Sequence, residues 1–320
     1  MKRLFRHCIA ALALTGIIGV AQAAFPERPV TIVVPYSPGG VTDHFARVIA
    51  DKLGRMWGKP VVVENRGGGG TIIGTQHAAE AEADGHTLLL TSYGYTSNPI
   101  LREQMPYGRD ALEPLMLLGN SRNMLVLSAR NELQSLDDVL AKARSAPGAL
   151  SLASSGNASS PHIAAELFAQ TVDAKITHVP YKGTAPAMND VIGGQVDGIF
   201  DGPSAIHNVR AGKLRAIAIA AEKRHPAAAE VPTFRELGID LVFGSWFGFF
   251  VPAGVPADIK DKLNADLRAA VADDGVTQKI VDKTGLTLET GSADDFARFL
   301  EFEHNRLQNL IDSGAKITVG

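Results

Sequence analysis

Cysteine is almost absent from this chain. The 320 residues contain one cysteine, Cys8, and it lies inside an N-terminal segment that has the features of a cleaved export leader. The mature chain would contain no cysteine, which excludes disulfides, thiol catalysis and zinc–thiolate sites together. Because Cys8 lies far upstream of the expected cut, we do not expect it to carry a lipid anchor.

The leader has the three successive parts of a secretory signal: a basic region, an apolar region and a small-residue cleavage site, which occupy Lys2 to Arg6, residues 9–20 and Ala21-Gln22-Ala23. The apolar region has about a dozen residues, fewer than the roughly 20 that span a bilayer. The sequence therefore predicts that residues 1–23 are a signal peptide cleaved after Ala23. We expect the product to be soluble and periplasmic.

A basic tract is also missing. Removing residues 1–23 leaves 297 residues and changes the formal net charge from −3 to −6, because three basic residues and no acidic ones are lost. The absence of a basic tract and of interleaved aromatic and basic residues argues against a nucleic-acid partner. A mildly acidic protein that binds acids must do so with local dipoles and hydroxyl groups. The remaining length is enough for two domains of ordinary size.

Motifs for nucleotide binding and catalysis are absent as well. The glycine-rich residues 67–74 have neither the G-x-G-x-x-G spacing nor the Lys-Ser/Thr pair of a P-loop, so we predict a flexible or close-packed turn. No nucleophile elbow and no H-E-x-x-H occur. His162 and Glu166 could share a metal ion, but no third ligand is evident. Asp201 could act as a general base, yet no nucleophile or cofactor motif accompanies it. We therefore predict no catalytic residue, no metal and no cofactor.

Short apolar runs alternate with helical patterns along the mature chain. This alternation predicts an α/β fold built from βαβ units, with parallel sheets and with ligands at the carboxyl ends of the strands. The predicted strands are residues 30–34, 61–64, 88–91, 115–118, 124–127, 150–153, 177–179, 198–200, 214–219 and 249–251. The helices between them include residues 43–56, 72–81, 135–144 and 161–171.

Several helix ends are marked by their residues. Ser135 with Asp138 and Ser292 with Asp295 have the spacing of capping boxes. Ser160 before Pro161 is typical of an N-cap followed by proline at the first helical position. Apolar residues recur at helical spacing after residue 296, and Gly314 is expected to end that last helix.

Two neighbouring strand candidates suggest how the domains are connected. Residues 115–118 and 124–127 are separated by five residues only, and a similar passage occurs near residues 241–251. If the chain crosses between lobes at both places, the second domain is inserted into the first. We therefore predict a first lobe of residues 24–122 plus 247–320 and a second lobe of residues 123–246.

Four turns rich in hydrogen-bond donors follow predicted strands. In the first, residues 35–43, glycines leave backbone N–H groups uncovered at a helix N-terminus, where about half a positive charge favours an anion. Similar turns occupy residues 92–98, 154–160 and 181–184. Ordinary capping explains any one of them, but together they favour a binding site for a small acid. The candidate ligand-binding residues are Ser37, Gly39, Gly40, Thr42, Asp43, Ser92, Tyr93, Ser155, Asn157, Ser159, His162, Tyr181, Thr184 and Asp201.

Ordered sequence motifs along the mature chain resemble those of a known family. They include residues 33–40 (VVPYSPGG), 61–67 (VVVENRG), 83–89 (ADGHTLL), 178–183 (HVPYKG) and 246–248 with 252–254 (WFG and PAG). The chain is similar to the periplasmic solute-binding proteins of tripartite tricarboxylate transporters, the Bug proteins. The resemblance implies a two-lobed Venus-flytrap fold that closes on an organic acid, with one carboxylate between the turns at residues 37–42 and 154–160. Ser37 and residues 157–160 depart from the usual pattern and bear on ligand identity.

The resemblance implies a monomeric receptor that captures a dicarboxylate, tricarboxylate or aromatic acid and delivers it to two membrane subunits of such a transporter. The alternative is a sensory module that presents the bound acid to a membrane histidine kinase. Asp201 is ambiguous, because a carboxylate beside an anionic ligand repels it. It could order waters and neighbouring donors, or bind a ligand ammonium. We favour a pure carboxylate ligand, because no second acidic residue stands in the nearby turns.

Overall fold

The computed structural model describes residues 25–317 and 319, so the predicted signal peptide lies outside the described residues. The strands are β1 Val30–Val34, β2 Val61–Asn65, β3 Thr87–Ser92, β4 Leu112–Arg122, β5 Met124–Ser128, β6 Ser151–Ser154, β7 Thr177–Pro180, β8 Gly198–Asp201, β9 Leu214–Ile219, β10 Gly244–Pro252 and β11 Thr287–Leu288. The helices are α1 Val41–Trp57, α2 Ile72–Ala79, α3 Gly94–Leu101, α4 Leu136–Ser145, α5 Ser160–Thr171, α6 Thr184–Gly193, α7 Ile206–Arg210, α8 Ala257–Val271, α9 Asp274–Thr284 and α10 Ala293–Asp312.

The strands form two sheets, one for each lobe. The first-lobe sheet has six strands in the order β11-β4-β10-β3-β1-β2, and the second-lobe sheet has five in the order β7-β6-β8-β5-β9. Helices flank both sheets, which confirms the predicted α/β class and two-lobed architecture. Among the described residues, no helix combines the length and the apolar character needed to cross a bilayer.

The sheets are mixed, whereas the sequence predicts parallel ones. β1 pairs in parallel with β2 and β3, and β6 pairs in parallel with β7 and β8. β10 is antiparallel to β3 and β4, and β5 is antiparallel to β8 and β9. The parallel strands end at the cleft between the lobes. A strand that enters a lobe from the other one starts at the cleft and runs in the opposite direction, so β5 and β10 are reversed.

The chain passes between the lobes at two places. Asn123 alone separates β4 in the first sheet from β5 in the second. On the return, Gly244, Ser245 and Trp246 at the start of β10 already pair with β4. The boundary at 246/247 suggested by the sequence therefore falls inside β10, and the strand itself begins at Gly244.

Packing fixes helix α1 against the first sheet. Its side chains Phe45, Ile49 and Leu53 are completely buried against strand residues of the same core. Burial of each such side chain contributes roughly 1.5–3 kcal/mol, more than the roughly 1 kcal/mol of an N-cap bond. The helix therefore forms although Gly40, its N-cap residue, provides no side-chain cap. Its N-terminus is left open for another role.

The local signals for helix ends are partly confirmed. Ser135 with Asp138 and Ser292 with Asp295 form complete capping boxes. The prediction of Ser160 as an N-cap is wrong by one residue, because α5 begins at Ser160 and its N-cap residue Ser159 makes no side-chain cap bond. The glycine-rich residues 67–70 form a close-packed turn with left-handed backbone angles at three glycines.

Candidate functional site

Three helices begin at one cavity between the lobes. α1 begins at Val41, α5 at Ser160 and α6 at Thr184, and each follows a parallel strand, β1, β6 and β7 respectively. In none of the three does the N-cap residue make a side-chain cap bond. Each helix end carries about half a positive charge and several backbone N–H groups without helical partners. The arrangement is suited to an anion that lies between the lobes.

The cavity has a volume of about 50 Å³. Hydroxyl groups from both lobes line it, among them those of Ser92, Ser155 and Thr184. The rings of Phe45 and Phe247 form an apolar part of the wall and meet edge to face, with 5.0 Å between their centroids. Donors on one side and aromatic carbon on another suit a small acid with a short carbon skeleton.

Asp201 is the charged side chain of the cavity, and within the described part of the chain no lysine or arginine lines it. Asp201 ends β8 and is only 7% exposed. Burial raises the pKa of its carboxyl group to about 6, and a hydrogen bond from the Gly202 backbone opposes this rise. An anion in the cavity is therefore held by neutral donors and helix dipoles, with one titratable carboxyl group beside it.

The structure brings some of the candidate residues together and places others elsewhere. Those that line the cavity are Gly40, Thr42, Ser92, Ser155, Thr184 and Asp201. Gly39 lines a groove that adjoins it. The remaining candidates, Ser37, Asp43, Tyr93, Asn157, Ser159, His162 and Tyr181, lie outside the cavity wall and act, where their contacts are known, on the turns around it.

Three of these outer candidates hold the turns by hydrogen bonds. Ser37 donates from its backbone N–H and its hydroxyl group to the carbonyl of Lys182, at 2.8 and 2.9 Å. Asp43 accepts from the backbone N–H of Gly39 at 2.9 Å and from Arg47, and these bonds outweigh its desolvation and lower its pKa. Tyr181 donates its hydroxyl group to Asp190 at 2.6 Å.

The segment after β3 differs from the predicted donor-rich turn. Residues 94–101 form helix α3. Tyr93 is completely buried, its ring lies 5.1 Å from the ring of Phe243, and its hydroxyl group has no partner among the described residues. Tyr93 belongs to the hydrophobic core and does not line the cavity. Ser92, one residue earlier, does reach the cavity, 3.0 Å from the hydroxyl group of Ser245.

The turn before α5 rests on a stacked pair of histidines, of which His162 is completely buried. His162 accepts a hydrogen bond at Nδ1 from the backbone N–H of Ala158, and its ring stacks on that of His178. Its Nε2 atom lies 3.6 Å from Glu166. Within residues 25–317 no three histidine, cysteine or carboxylate side chains are grouped so that they could hold a metal ion. The His162–Glu166 pair is thus part of the support of the turn.

Other lining residues were missed by the sequence analysis. Ser121 and Ser245 come from the adjacent ends of β4 and β10, Asn123 joins β4 to β5, and Thr284 is the last residue of α9. None of them belongs to a turn between a strand and a following helix. For Ser121, Asn123 and Ser245 the available signal was their position at the two points where the chain passes between the lobes. Thr284 has no such signal.

The two lobes touch beside the cavity, so the cleft is closed. Besides the bonds from Ser37 to Lys182, the hydroxyl group of Ser97 donates to the carbonyl of Ala158. Gly70 packs so tightly that a Cβ atom there would overlap the carbonyl oxygen of Asn157. These contacts join two first-lobe turns and helix α3 to the second-lobe turns that precede α5 and α6.

Comparison with known proteins places this arrangement among binding proteins. Residues 45–315 match the family model described as "Tripartite tricarboxylate transporter family receptor". Protein BugT of Bordetella pertussis is 34% identical over 327 residues, which cover 99% of this chain and 99% of BugT.

Solved structures show the same fold. The periplasmic binding protein BugD has a TM-score of 0.86 and 29% identity, covering 91% of this chain and 99% of that one. Rpa4515 of R. palustris, solved with adipate, has a TM-score of 0.86 and 31% identity, covering 92% and 100%. MatC of Rhodopseudomonas palustris, solved with bound malate, has a TM-score of 0.83 and 30% identity, covering 90% and 100%.

Proposed function

The chain belongs to the tripartite tricarboxylate transporter receptor family, and we propose that it captures a small organic carboxylate between its lobes and delivers it to two membrane subunits of such a transporter. Like its family and its structural neighbours, it is a binding receptor of the periplasmic type and not an enzyme. We assign residues 24–122 plus 247–320 to the first lobe and residues 123–246 to the second. Strand β10 crosses the second boundary, because it begins at Gly244 and pairs with β4 from there on.

The observation that carries this proposal is the convergence of three uncapped helix N-termini on one cavity between the lobes. Three such ends favour negative charge. No lysine or arginine of the described chain lines the cavity, so no cationic side chain there offers the anion another binding point. Ser155 and Thr184 add hydroxyl donors. Hydrogen bonds from such donors to a carboxylate are charge-assisted, and each contributes roughly 1.5–3 kcal/mol.

The ligands of two relatives support a carboxylate. Rpa4515 was solved with adipate and MatC with malate. Both ligands are dicarboxylates with unbranched carbon skeletons. We infer that the ligand of this chain is a dicarboxylate, tricarboxylate or aromatic acid that places one carboxylate at the three helix ends.

A thermal-shift screen tests ligand capture. The purified mature protein is heated with C4 to C6 dicarboxylates, citrate, acidic amino acids and aromatic acids. The matched control for each hit is its neutral diamide, which has the same skeleton without charge. A ligand at 100 times its dissociation constant adds roughly 2.7 kcal/mol of stability. Stabilisation by the acid and not by the diamide is expected, and equal stabilisation by both would contradict the proposal.

Deletion of the gene separates transport from sensing. Delivery to membrane subunits predicts that deletion abolishes uptake of the acid identified in the screen. If uptake persisted while induction by the acid was lost, the chain would instead present its ligand to a membrane sensor kinase. Turnover of the bound acid by the purified protein would contradict both roles.

A further inference from the structure

A groove of about 410 Å³ adjoins the central cavity and lies between the lobes. Its first-lobe wall comes from the start of α1 and the end of α9, and its second-lobe wall comes from α6 and α7. Six residues line both spaces, so the groove and the cavity are continuous: Gly40, Val41, Thr184, Asp201, Ser204 and Thr284. A ligand longer than the cavity can extend into the groove past Asp201.

A lysine is oriented into the first-lobe side of the groove by a neutral histidine. Nε2 of His44 lies 3.1 Å from the carbonyl oxygen of Lys279, which can only accept, so Nε2 carries the hydrogen. Nδ1 of His44 is then an acceptor, and it lies 3.4 Å from Nζ of Lys283. Burial and the nearby ammonium group lower the pKa of His44, which keeps the ring neutral near pH 7. His44 thus holds Lys283 without neutralising it.

A second lysine faces the groove from the other lobe. Lys213 is exposed and lines the groove on the second-lobe side. Among residues 25–317, no carboxylate lies within ion-pair distance of Lys213 or Lys283. His207 of the second lobe connects the two lobes at the rim of the groove, because its Nε2 lies 3.3 Å from the carbonyl oxygen of Asp282 in the first lobe. Two like charges on opposite lobes repel each other as the cleft closes, and an anion between them removes that cost.

We propose that this groove is a subsite for the second acidic group of an elongated dicarboxylate, held between Lys283 of the first lobe and Lys213 of the second. The inference rests on the proposed function, because the other carboxylate occupies the helix ends in the central cavity. The bound dianion joins the lobes at both of its ends, so the subsite contributes to closure as well as to selection.

Asp201 adds selection by chain length. Its carboxyl group stands at the boundary between cavity and groove. A short diacid places its second carboxylate at this boundary, where a like charge disfavours it. A longer diacid passes methylene groups across the boundary and places its second carboxylate at the two lysines. We therefore expect a preference for diacids of six or more carbons over succinate.

Calorimetry with a series of acids tests the subsite. Succinate, adipate, suberate and the monoacid hexanoate are titrated into the wild-type protein and into Lys283→Gln and Lys213→Gln variants. Each substitution removes one charged donor, so the affinity for adipate and suberate should fall about tenfold. The affinity for hexanoate should change by less than about twofold, because this acid has no group that reaches the lysines.

The matched control is Lys223→Gln, which removes the same charge from an exposed second-lobe position outside the groove. This variant should bind every acid as the wild type does. The subsite is overturned if Lys283→Gln changes adipate and hexanoate affinity equally, or changes neither, while both acids still bind; the proposed function then stands. If the wild type binds no acid of the series or of the wider screen, the proposed function fails together with the subsite.

Discussion

The rings of His162 and His178 lie face to face, with 3.8 Å between their centroids and 12° between their planes. Each ring supports the turn that leads into α5: His162 accepts from the backbone of Ala158, and Nε2 of His178 is 2.6 Å from the hydroxyl group of Ser154. Burial and the neighbouring His162 lower the pKa of His178 to about 3. The neutral ring of His178 therefore supports the second-lobe side of the ligand site.

This depressed pKa predicts a dependence of stability on pH. Between pH 6.5 and about 3 the unfolded chain protonates His178 and the folded protein does not, so the unfolded state binds more protons. Stability contributed by the neutral ring is complete above pH 6.5 and is lost as the pH falls. Urea unfolding at pH 5.0 and 7.5 should show a larger loss at pH 5.0 for the wild type than for His178→Gln. An equal loss in both proteins would show that the ring is not the cause.

Substitution of Ser155 tests the role of the α5 turn. Its side chain lines the cavity, so removal of its hydroxyl group should weaken carboxylate binding by about one to two decades. Calorimetry on Ser155→Ala measures this, and Ser145→Ala, an exposed second-lobe serine at the end of α4, is the control. An unchanged affinity with an intact fold would return the turn to a capping role. Ser159, the second donor that the sequence predicts, lies outside the cavity wall, and its buried hydroxyl group has no partner among the described residues. Calorimetry on Ser159→Ala tests whether it also contributes to binding.

The sequence predicts the main architecture because its signals there are local. The strand at Val30–Val34, the capping boxes at Ser135 and Ser292 and the turn before α5 each depend on residues close in the chain. The strand direction in the sheets was not predictable in the same way. β5 and β10 are reversed because the chain enters each lobe at the cleft, and this depends on the path of the whole chain.

The candidate site likewise combines residues that have a local sequence signal with residues that have none. Gly40, Ser155 and Thr184 belong to strand–helix turns and line the cavity. Ser121 and Ser245 reach it only because β4 and β10 pair side by side, although 124 positions separate them in the chain. The wall of the cavity at the lobe crossings is therefore set by long-range pairing, for which one sequence contains no local signal.

Gly70 provides a test of cleft closure. Its φ is +64°, and a Cβ atom would overlap the carbonyl oxygen of Asn157 across the cleft. Gly70→Ala should therefore favour the open form and weaken ligand binding by about tenfold or more, since ligand affinity falls with the population of the closed state. With ligand present, small-angle X-ray scattering should give a larger radius of gyration for Gly70→Ala than for the wild type.

Gly58→Ala is the matched control for this change. Gly58 has a φ of +62°, so the substitution introduces a similar backbone strain, but no atom lies within 4 Å of the added Cβ. This variant should lose stability and keep the ligand affinity of the wild type. If both variants weaken binding equally, backbone strain and not the contact with Asn157 accounts for the effect.

The leader yields a prediction on the mature protein. We expect export with cleavage after Ala23 and a monomer that carries no lipid, because the basic, apolar and small-residue regions follow the order of a signal peptide. Mass spectrometry of periplasmic protein should give a chain that begins at Ala24. Retention of residues 1–23 or a lipid mass would contradict this expectation, and light scattering checks the monomer.

Asp201 distinguishes two classes of ligand, because its titration predicts the direction in which the affinity for each class changes. With a pKa of about 6, the carboxyl group is charged at pH 8 and largely neutral at pH 5.5. The charge repels a dicarboxylate, so wild-type affinity for such a ligand should rise as the pH falls through 6. Asp201→Asn should bind it at pH 8 as tightly as the wild type or more tightly, and its affinity should depend less on pH. Asp137→Asn, an exposed second-lobe change, is the control.

An amino-acid ligand would reverse the result, because its ammonium group needs the carboxylate. A steep loss of affinity in Asp201→Asn, together with stabilisation by aspartate or glutamate alone, would refute a pure carboxylate ligand.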